Sequence, residues 1–576
     1  MAKKKVEEVI PLVAEGENAP RPRLHKLIIQ NFRSIGSDRV EIELDDIVVL
    51  VGPNNVGKSS ILRAYETVMS HGSKEGKLSI EDFPNGQVDP ENLPTIELHT
   101  IVFHEAPGER WIKSTNNNEW LIREKWVWDS PNKDPKRQGF DVQKNDWDDQ
   151  VPWGAPNIAN SRRPLPHRID AFATPDKQAA EITKLITSLL KDKLSEIRSD
   201  PNQEKTDYEL VLEKIKLLQN KVVVATEDEI QVIENEISEY LGKLFPSHKI
   251  KFDAKPESDL ESAYQPFKTN AALLMGPEGG YFSPIEHQGS GARRTLLWAA
   301  LKYLSESQDK KGSRPHVLLL DEPEICLHPS AIREARSILY ELPESGTWQV
   351  MITSHSPIFI DLSKNNTTIV RVFRNDDSEV RSTTLYRPER ANLDDDDKKN
   401  LKLLNVCDPY VHEFFFGGQQ IIVEGDTEYT AFSMIKAIYP DEYEDIQIIR
   451  ARGKGIIPSI AKVLKQFSKE FFILHDTDTE KTVSGKKNPA WGMNNTIAKL
   501  LESDGKVNLV ACKTCFETAL FGEEVKEEKP YNALVRIQTD DEARKRVKSL
   551  LDYLVRVDGA TLPQNCIHWT DIKQLS

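Results

Sequence analysis

Two sets of residues in this chain have the types and the spacing of chemistry. The first is Gly52-Pro53-Asn54-Asn55-Val56-Gly57-Lys58-Ser59, a G-x-x-x-x-G-K-[ST] run followed by Ser60. Gly52 and Gly57 let the backbone N–H groups of the turn, those of Asn54 and Asn55 among them, close around phosphate oxygens at a helix N-terminus. Lys58 then reaches the β and γ phosphates, Ser59 holds Mg²⁺, and Ser60 stands in the same turn. The implied ligand is ATP with Mg²⁺. The other half of such a site is His316-Val317-Leu318-Leu319-Leu320-Asp321-Glu322-Pro323-Glu324. Its apolar run delivers two adjacent acids to a sheet edge, Asp321 to bind Mg²⁺ and Glu322 to polarise an attacking water. An apolar run ending in Asp-Glu is common alone; beside the glycine-rich loop it becomes specific.

The second set is acidic. Glu424 ends the run Gln420-Ile421-Ile422-Val423 and Glu428 follows one helical turn later, a spacing that places both on one helix face. Asp476 and Asp478 close Phe471-Phe472-Ile473-Leu474-His475 as D-x-D. At i and i+2 of a strand they share a face and converge on one cation or bridge two. Hard oxygen donors with no adjacent cysteine favour Mg²⁺ or Mn²⁺ over zinc.

Elements to position these residues are readable around them. Residues 47–51 are a short continuous apolar run fit for a buried strand, with a helix expected from about Lys58. Residues 24–29 and 40–44 pattern as an antiparallel pair. Residues 97–128 alternate β-branched, aromatic and polar residues, and an irregular stretch follows to Arg168. From about 176 to 245 the composition turns to Lys, Glu, Leu and Ile at helical spacing, with a second stretch from about 227, an insertion that forms either a coiled-coil dimerisation arm or a helical subdomain. Strand-like runs return at 317–320 and 348–352. The charged run at 391–399 is expected to be solvated and mobile, and the main boundary is placed near 400. Beyond it, apolar runs at 420–423, 446–449 and 471–474 alternate with helical segments, the pattern of a parallel α/β sheet.

Composition bounds the class. A chain of 576 residues exceeds the size of one hydrophobic core, and 38% hydrophobic with 29% charged residues suits a globular fold. No apolar stretch is long enough to span a bilayer, and acids interrupt the residues after Lys3-Lys4-Lys5, so neither a membrane span nor a secretory signal is expected and the cytoplasm is the expected location. Five cysteines, scattered and odd in number, argue against a disulfide framework; Cys512 and Cys515 form a C-x-x-C pair without the companions of a zinc site. A net charge of −15 does not exclude nucleic acid, which needs only a local basic surface.

Asn31-Phe32-Arg33-Ser34-Ile35, the glycine-rich loop, Gln288-Gly289-Ser290-Gly291-Ala292-Arg293-Arg294, Asp321-Glu322-Pro323 and Thr353-Ser354-His355-Ser356-Pro357 together resemble the ABC-type ATPase heads of the SMC and RecF group. The resemblance implies that Ser290 and Gly291 of one subunit close on the γ-phosphate held by another and that His355 contacts that phosphate, and hence an ATP-sandwich homodimer or higher assembly. Glu424-Gly425-x-x-Glu428, the turn Arg452-Gly453-Lys454-Gly455 and Asp476-x-Asp478 resemble a Toprim domain over about 415–576. The implied fold is α/β: an ABC-type, SMC/RecF-like ATPase head over 1–400 with a helical insertion, followed by a Toprim α/β domain.

That order is similar to the overcoming-lysogenization-defect (OLD) nuclease family, which includes the endonuclease subunits of Gabija-type anti-phage systems; residues from about 100 to 270 match least. The family resemblance implies a further glutamate and a lysine at the nuclease centre. Glu517 fits the first. Lys529 is a candidate for the second, with Lys545 and Lys548 as competitors. The implied metal set is Glu424, Glu428, Asp476, Asp478 and Glu517 with two Mg²⁺ or Mn²⁺ ions, beside Ser59 and Asp321 at the ATP site. The implied catalytic set is Glu322 for ATP, and Glu424, Asp476, Asp478 and Lys529 for phosphodiester hydrolysis.

The expected function is an ATP-hydrolysing, divalent-metal-dependent DNA endonuclease in anti-phage defence, acting on double-stranded DNA beside a second protein such as a helicase-like partner. A repair or structural ATPase whose acidic module binds DNA or a partner without cutting is the competing reading. A topoisomerase or primase is disfavoured by the lack of a persuasive zinc-finger or tyrosine-transesterase region.

Overall fold

The computed structural model describes residues 21–103, 107–115, 119–170, 174–180, 274–277, 280–306, 315–408, 411–467, 469–482, 484–502, 505–523 and 527–575, with 182–183, 210–211, 213–215, 217 and 525. Residues Met1–Ala171 and Arg314–Ser576 form one compact unit and Phe172–Ser313 another.

Among its described residues the first unit holds three sheets. The strands Arg23–Gln30 and Val40–Glu43 pair antiparallel, and Arg23–Gln30 continues through Thr95–Val102, Trp120–Val127 and Lys136–Asp141 to Asp146–Asp148, every pairing in this path antiparallel. Its alternation of buried and exposed residues, as in Val40-Glu41-Ile42, is that of a sheet with one face in the core.

The second sheet runs in the order Val380–Tyr386, Thr367–Arg374, Ile47–Val51, Trp348–Thr353, His316–Asp321, Leu165–Ile169. All neighbours are parallel except the first pair. Ile47–Val51 lies in its middle with all five residues buried, which is why this segment reads as an unbroken apolar run rather than an alternating one. Leu50 lies opposite Thr353 and Thr353 opposite Asp321. The glycine-rich loop, the Asp-Glu pair and the Thr-Ser-His turn therefore leave the same carboxyl edge, where ligands of parallel sheets bind.

The third sheet runs Ile446–Arg450, Gln419–Val423, Phe471–Asp476, Val507–Cys512, Cys566–Trp569. The first four strands are parallel and the last is antiparallel. Gln419–Val423 comes first in sequence, and its successors pair on its two sides, so the strand order reverses at its carboxyl end, where Glu424 stands. Phe432, Ile435, Phe516, Leu520, Val547 and Leu551 cover one face as a single buried cluster.

The charged run at 391–399 is largely exposed, as expected, with Asp394, Asp395, Asp396 and Lys399 facing solvent, but it is ordered as the start of a helix. Asp394 caps the helix Asp395–Cys407, its carboxylate accepting from the N–H groups of Asp396 and Asp397. Asp397 is buried; it accepts from Ser459 Oγ at 2.8 Å and pairs with Lys462, while Asn400 Nδ2 donates to Ser459 Oγ at 3.2 Å. Acids favour a helix N-terminus, and a basic and a hydroxyl partner on the helix Ile457–Leu464 repay burial of one of them.

In the second unit, Leu274–Met275 pairs with Ser283–Pro284, and the helix Ser290–Glu306 begins at the Ser290-Gly291 pair. Gln288 Nε2 donates to Met275 O at 2.9 Å and to Ser283 Oγ at 2.6 Å, and Arg293 Nε donates to Gln178 Oε1 at 2.9 Å. Within the expected helical insertion, residues 175–180 and 213–215 are helical; most of it, including the stretch from 227, lies outside the described residues. All five cysteines are free, Cys512 facing Cys566 across paired strands at 3.7 Å and not Cys515. No described helix is long and apolar enough to cross a membrane.

Candidate active sites

The glycine-rich loop joins Ile47–Val51 to the helix Lys58–Met69. Three consecutive demands fix its composition. Gly52 has φ +143°, and a Cβ there would lie 2.0 Å from Val372 O on the adjoining strand; Asn55 and Gly57 have φ of 59° and 91°. Lys58 is buried, and its Nζ donates to Gly52 O at 3.0 Å and Pro53 O at 2.7 Å and lies 3.1 Å from His355 Nε2. Burial lowers the Lys58 pKa, against the pull of Glu322, Asp321 and Glu324.

Asp321 accepts from Ser59 Oγ at 2.9 Å and from Thr353 Oγ1 at 2.6 Å. Glu322, held at φ +44°, receives backbone support from Thr353 O and Thr353 Oγ1 at 3.1 and 3.0 Å, and its carboxylate lies 3.2 Å from His355 Nε2. Glu324, whose pKa burial raises, accepts from Ser354 Oγ at 2.9 Å and His355 N at 2.7 Å. Lys58, Ser59, Asp321, Glu322 and His355 thus meet at one edge, with Gly52, Asn54, Asn55, Gly57 and Ser60 in the loop and first helical turn around them. Ser290 and Gly291 belong to the other compact unit. Sequence reasoning missed Thr353 and Glu324, although both sit inside quoted runs.

At the third sheet, Glu424 directly follows its strand and Glu428 lies in the first turn of Asp426–Ile438, Glu428 Oε2 accepting from Gly425 N at 3.0 Å. The two acids meet across a strand-to-helix turn rather than along one helix face. Asp476 ends its strand, and its N–H donates to Glu424 Oε2 at 3.1 Å. Asp478 has φ +61° and lies beyond the strand, so it does not share a strand face with Asp476; it pairs with the buried Lys454. The chain has turned between the two acids, which the i, i+2 rule does not foresee. Glu517, buried in Phe516–Phe521, lies 3.3 Å from Lys529 Nζ. The rival lysines are held elsewhere: Lys548 by Glu442 and Asp552, Lys545 by Glu542. Lys454 is the residue missed here, though its Gly-Lys-Gly turn was visible.

These carboxylates are poorly compensated. Burial raises the Asp476 pKa well above its ordinary value, and Glu428, Glu424, Glu517 and Asp478 raise it further. Burial, with Glu424 and Glu517, pushes Glu428 up to about 7, and burial also raises Glu424. Asp476 Oδ1 is buried without a hydrogen-bond partner. Among the described residues no three His, Cys, Asp or Glu side chains stand in a closed coordination group, so the acids are gathered rather than locked. An orphaned carboxylate oxygen beside mutually repelling acids fits a hard divalent cation.

An AAA ATPase domain model matches residues 23–138 and 158–360. The chain belongs to the AAA ATPase domain family. A second model, the TOPRIM domain of overcoming-lysogenization-defect-like proteins, matches residues 415–478, which include Glu424, Glu428, Asp476 and Asp478. This AAA-domain chain is therefore an ATPase joined to a TOPRIM nuclease domain. It is 23% identical to the OLD nuclease of Thermus scotoductus over 79% of this chain and 82% of that protein. It is 24% identical to the Old nuclease of Escherichia phage P2 over 86% and 85%. A solved SMC head domain from Thermotoga maritima aligns with 14% identity over 63% of this chain and 98% of that one, at a TM-score of 0.29.

Proposed function

We propose that this ATP-dependent nuclease is a DNA endonuclease whose TOPRIM centre binds Mg²⁺ or Mn²⁺, most simply as two ions, and that it serves in anti-phage defence. The observation that carries the nuclease reading is the buried, partnerless Asp476 Oδ1 among Glu424, Glu428 and Glu517. Glu424, Glu428, Asp476 and Glu517 would hold the ions, with Asp478 completing the set once released from Lys454. The ions would supply Lewis-acid stabilisation of charge and an activated water.

The chain's own residues account for the rest. Lys529, held by Glu517, stands ready to offset negative charge building on a reacting phosphate, and Lys454 orients Asp478. At the other edge Lys58 would release Gly52 O and Pro53 O to take the β and γ phosphates. Ser59 and Asp321 would bind Mg²⁺, and Glu322 would orient the attacking water, with His355 and Thr353 holding these acids. Ser290 and Gly291 heading a helix suit a signature segment that reaches a nucleotide in a second copy, so a homodimer or larger homo-oligomer working beside a helicase-like protein is the assembly we favour. The reading places the protein in the cytoplasm.

The test is cleavage of supercoiled and linear duplex DNA by the pure chain in Mg²⁺ or Mn²⁺, with and without ATP, beside Asp476→Asn. Metal-dependent cutting that the variant loses supports the reading. Normal ATP turnover with no cutting of either DNA, in either metal, refutes it and leaves the non-cutting ATPase.

A further inference from the structure

Around the carboxylate centre, three loops leave the carboxyl edge of the third sheet. They follow Ile446–Arg450, Phe471–Asp476 and Val507–Cys512. Backbone and side-chain bonds knit them together. Gly453 N donates to Glu424 O at 2.8 Å, and Lys454 Nζ donates to Ala490 O at 3.4 Å as well as pairing with Asp478. Thr477 N donates to Cys512 O at 2.9 Å, Asp478 N to Thr514 O at 3.0 Å, and Thr514 N to Thr477 Oγ1 at 2.8 Å. These loops are thus one continuous rim about the acids.

The rim carries Arg452 on the first loop, Lys481, Lys486 and Lys487 on the second, and Lys513 on the third, all exposed. The second loop folds back on itself, with a bridge between Lys481 and Lys487 and Thr482 N donating to Lys486 O at 2.8 Å, so that its lysines crowd one tip. None of these five cations has a carboxylate within ion-pair reach among the described residues. Elsewhere on this domain Lys462, Lys545, Lys548, Arg536, Arg544 and Arg556 each hold an acid, and Lys469, Lys499 and Lys573 are exposed cations that stand apart from the rim. In a chain of net charge −15, these exposed, hydrated rim cations gather as a local basic surface around an acid-lined site. A polyanion running over the site matches that surface. Its phosphates pair with the rim while the one above the acids is the one to be cut.

We propose that Lys481, Lys486 and Lys487, with Arg452 and Lys513, form a phosphate clamp that seats duplex DNA across the carboxylate centre. It rests on the nuclease reading for its substrate and is tested by binding, which needs no cutting. In the full-length protein, affinity for a labelled duplex is measured over a salt series for the wild type, for Lys481→Ala/Lys486→Ala/Lys487→Ala, and for Lys481→Arg/Lys486→Arg/Lys487→Arg. A matched control, Lys469→Ala/Lys499→Ala/Lys573→Ala, removes exposed lysines away from the rim. Each lost duplex phosphate contact lowers the slope of log affinity against log salt by about 0.9, so the alanine triple is expected to lose roughly 2 to 3 from the slope. The arginine triple keeps the slope and the control stays within about one contact of wild type. An unchanged slope in the alanine triple, an equal fall in the control, or a slope seen only with single strands or RNA overturns the clamp. Absence of cleavage by the wild type with the slope difference intact would overturn the nuclease reading and leave the clamp standing.

Discussion

The two acid-bearing edges share a plan, acids delivered by parallel strands to the carboxyl side of a sheet, and differ in how those acids are satisfied. At the ATPase edge, Asp321 has Ser59 and Thr353, Glu322 faces His355, and Glu324 Oε1 has Ser354 and the His355 N–H while its Oε2 is buried without a partner. At the TOPRIM edge, burial together with Glu424 and Glu517 raises both Glu428 and Asp476, Glu428 raises Asp476 further, and one oxygen of Asp476 has no partner. The first edge is preassembled, and a nucleotide takes over contacts that the chain already makes. The second is short of positive charge, and burial without compensation is what a cation site requires before the cation arrives.

The comparison breaks most sharply under substitution at each centre. Lys58→Ala is expected to lower ATP turnover on the order of 100-fold or more while the metal-dependent chemistry keeps its metal requirement, and Asp476→Asn to do the reverse. Measuring both activities in both variants decides it; loss of ATP binding in Asp476→Asn would show that the edges are not independent. Thr353→Val, which removes one hydroxyl shared by Asp321 and the Glu322 N–H, is expected to slow ATP turnover by about 10-fold without changing cleavage rates measured without nucleotide. A steady-state rate equal to wild type would mean that Thr353 does not position the acids.

Stability sharpens the contrast further. Glu428, raised to about 7, and Asp476, raised well above its ordinary value, hold protons in the folded state that the unfolded chain has already lost. Their contribution is fully present below the ordinary carboxylate range and is lost as pH rises through about 7. Metal-free protein is therefore expected to melt at a lower temperature at pH 8 than at pH 5.5 through this centre, by roughly 1 °C per kcal/mol in a unit of this size. Mg²⁺ or Mn²⁺ at pH 8 should restore the loss, and Glu428→Gln should flatten the dependence. A melting profile in which Glu428→Gln and wild type run parallel would remove the electrostatic difference between the edges. The smallest effect belongs to Lys545→Ala, whose lysine pairs only with exposed Glu542; cleavage within about twofold of wild type is expected. A large loss there would return Lys545 to the nuclease centre.

What was legible in the sequence is what is local. The loop at 52–59 and the acid pair at 321–322 are each written within a few residues, and the strands that carry them are continuous apolar runs because both faces of the sheet are covered. Arrangements made by distant segments were harder to read. Asp478 was expected to lie with Asp476, but a positive φ turns it to Lys454, 24 positions away. Glu517 and Lys529 entered only through family resemblance, since nothing near them in sequence indicates the acids they approach. In the run Asp394-Asp395-Asp396-Asp397 the first three acids are exposed as the pattern suggests, but the burial of Asp397 was unreadable because charge patterning carries no sign of Ser459 and Lys462.

Gly52 bears on how the ATPase edge is to be probed. A side chain there would press on the carbonyl of Val372 in the neighbouring strand before it met any nucleotide. The first glycine of the loop is thus a seam between two strands as much as part of a phosphate cradle. A Gly52 variant that lost ATP turnover would report on whether the sheet had closed, so Lys58, whose Nζ bonds within the loop and reaches His355, is the informative place to silence nucleotide chemistry.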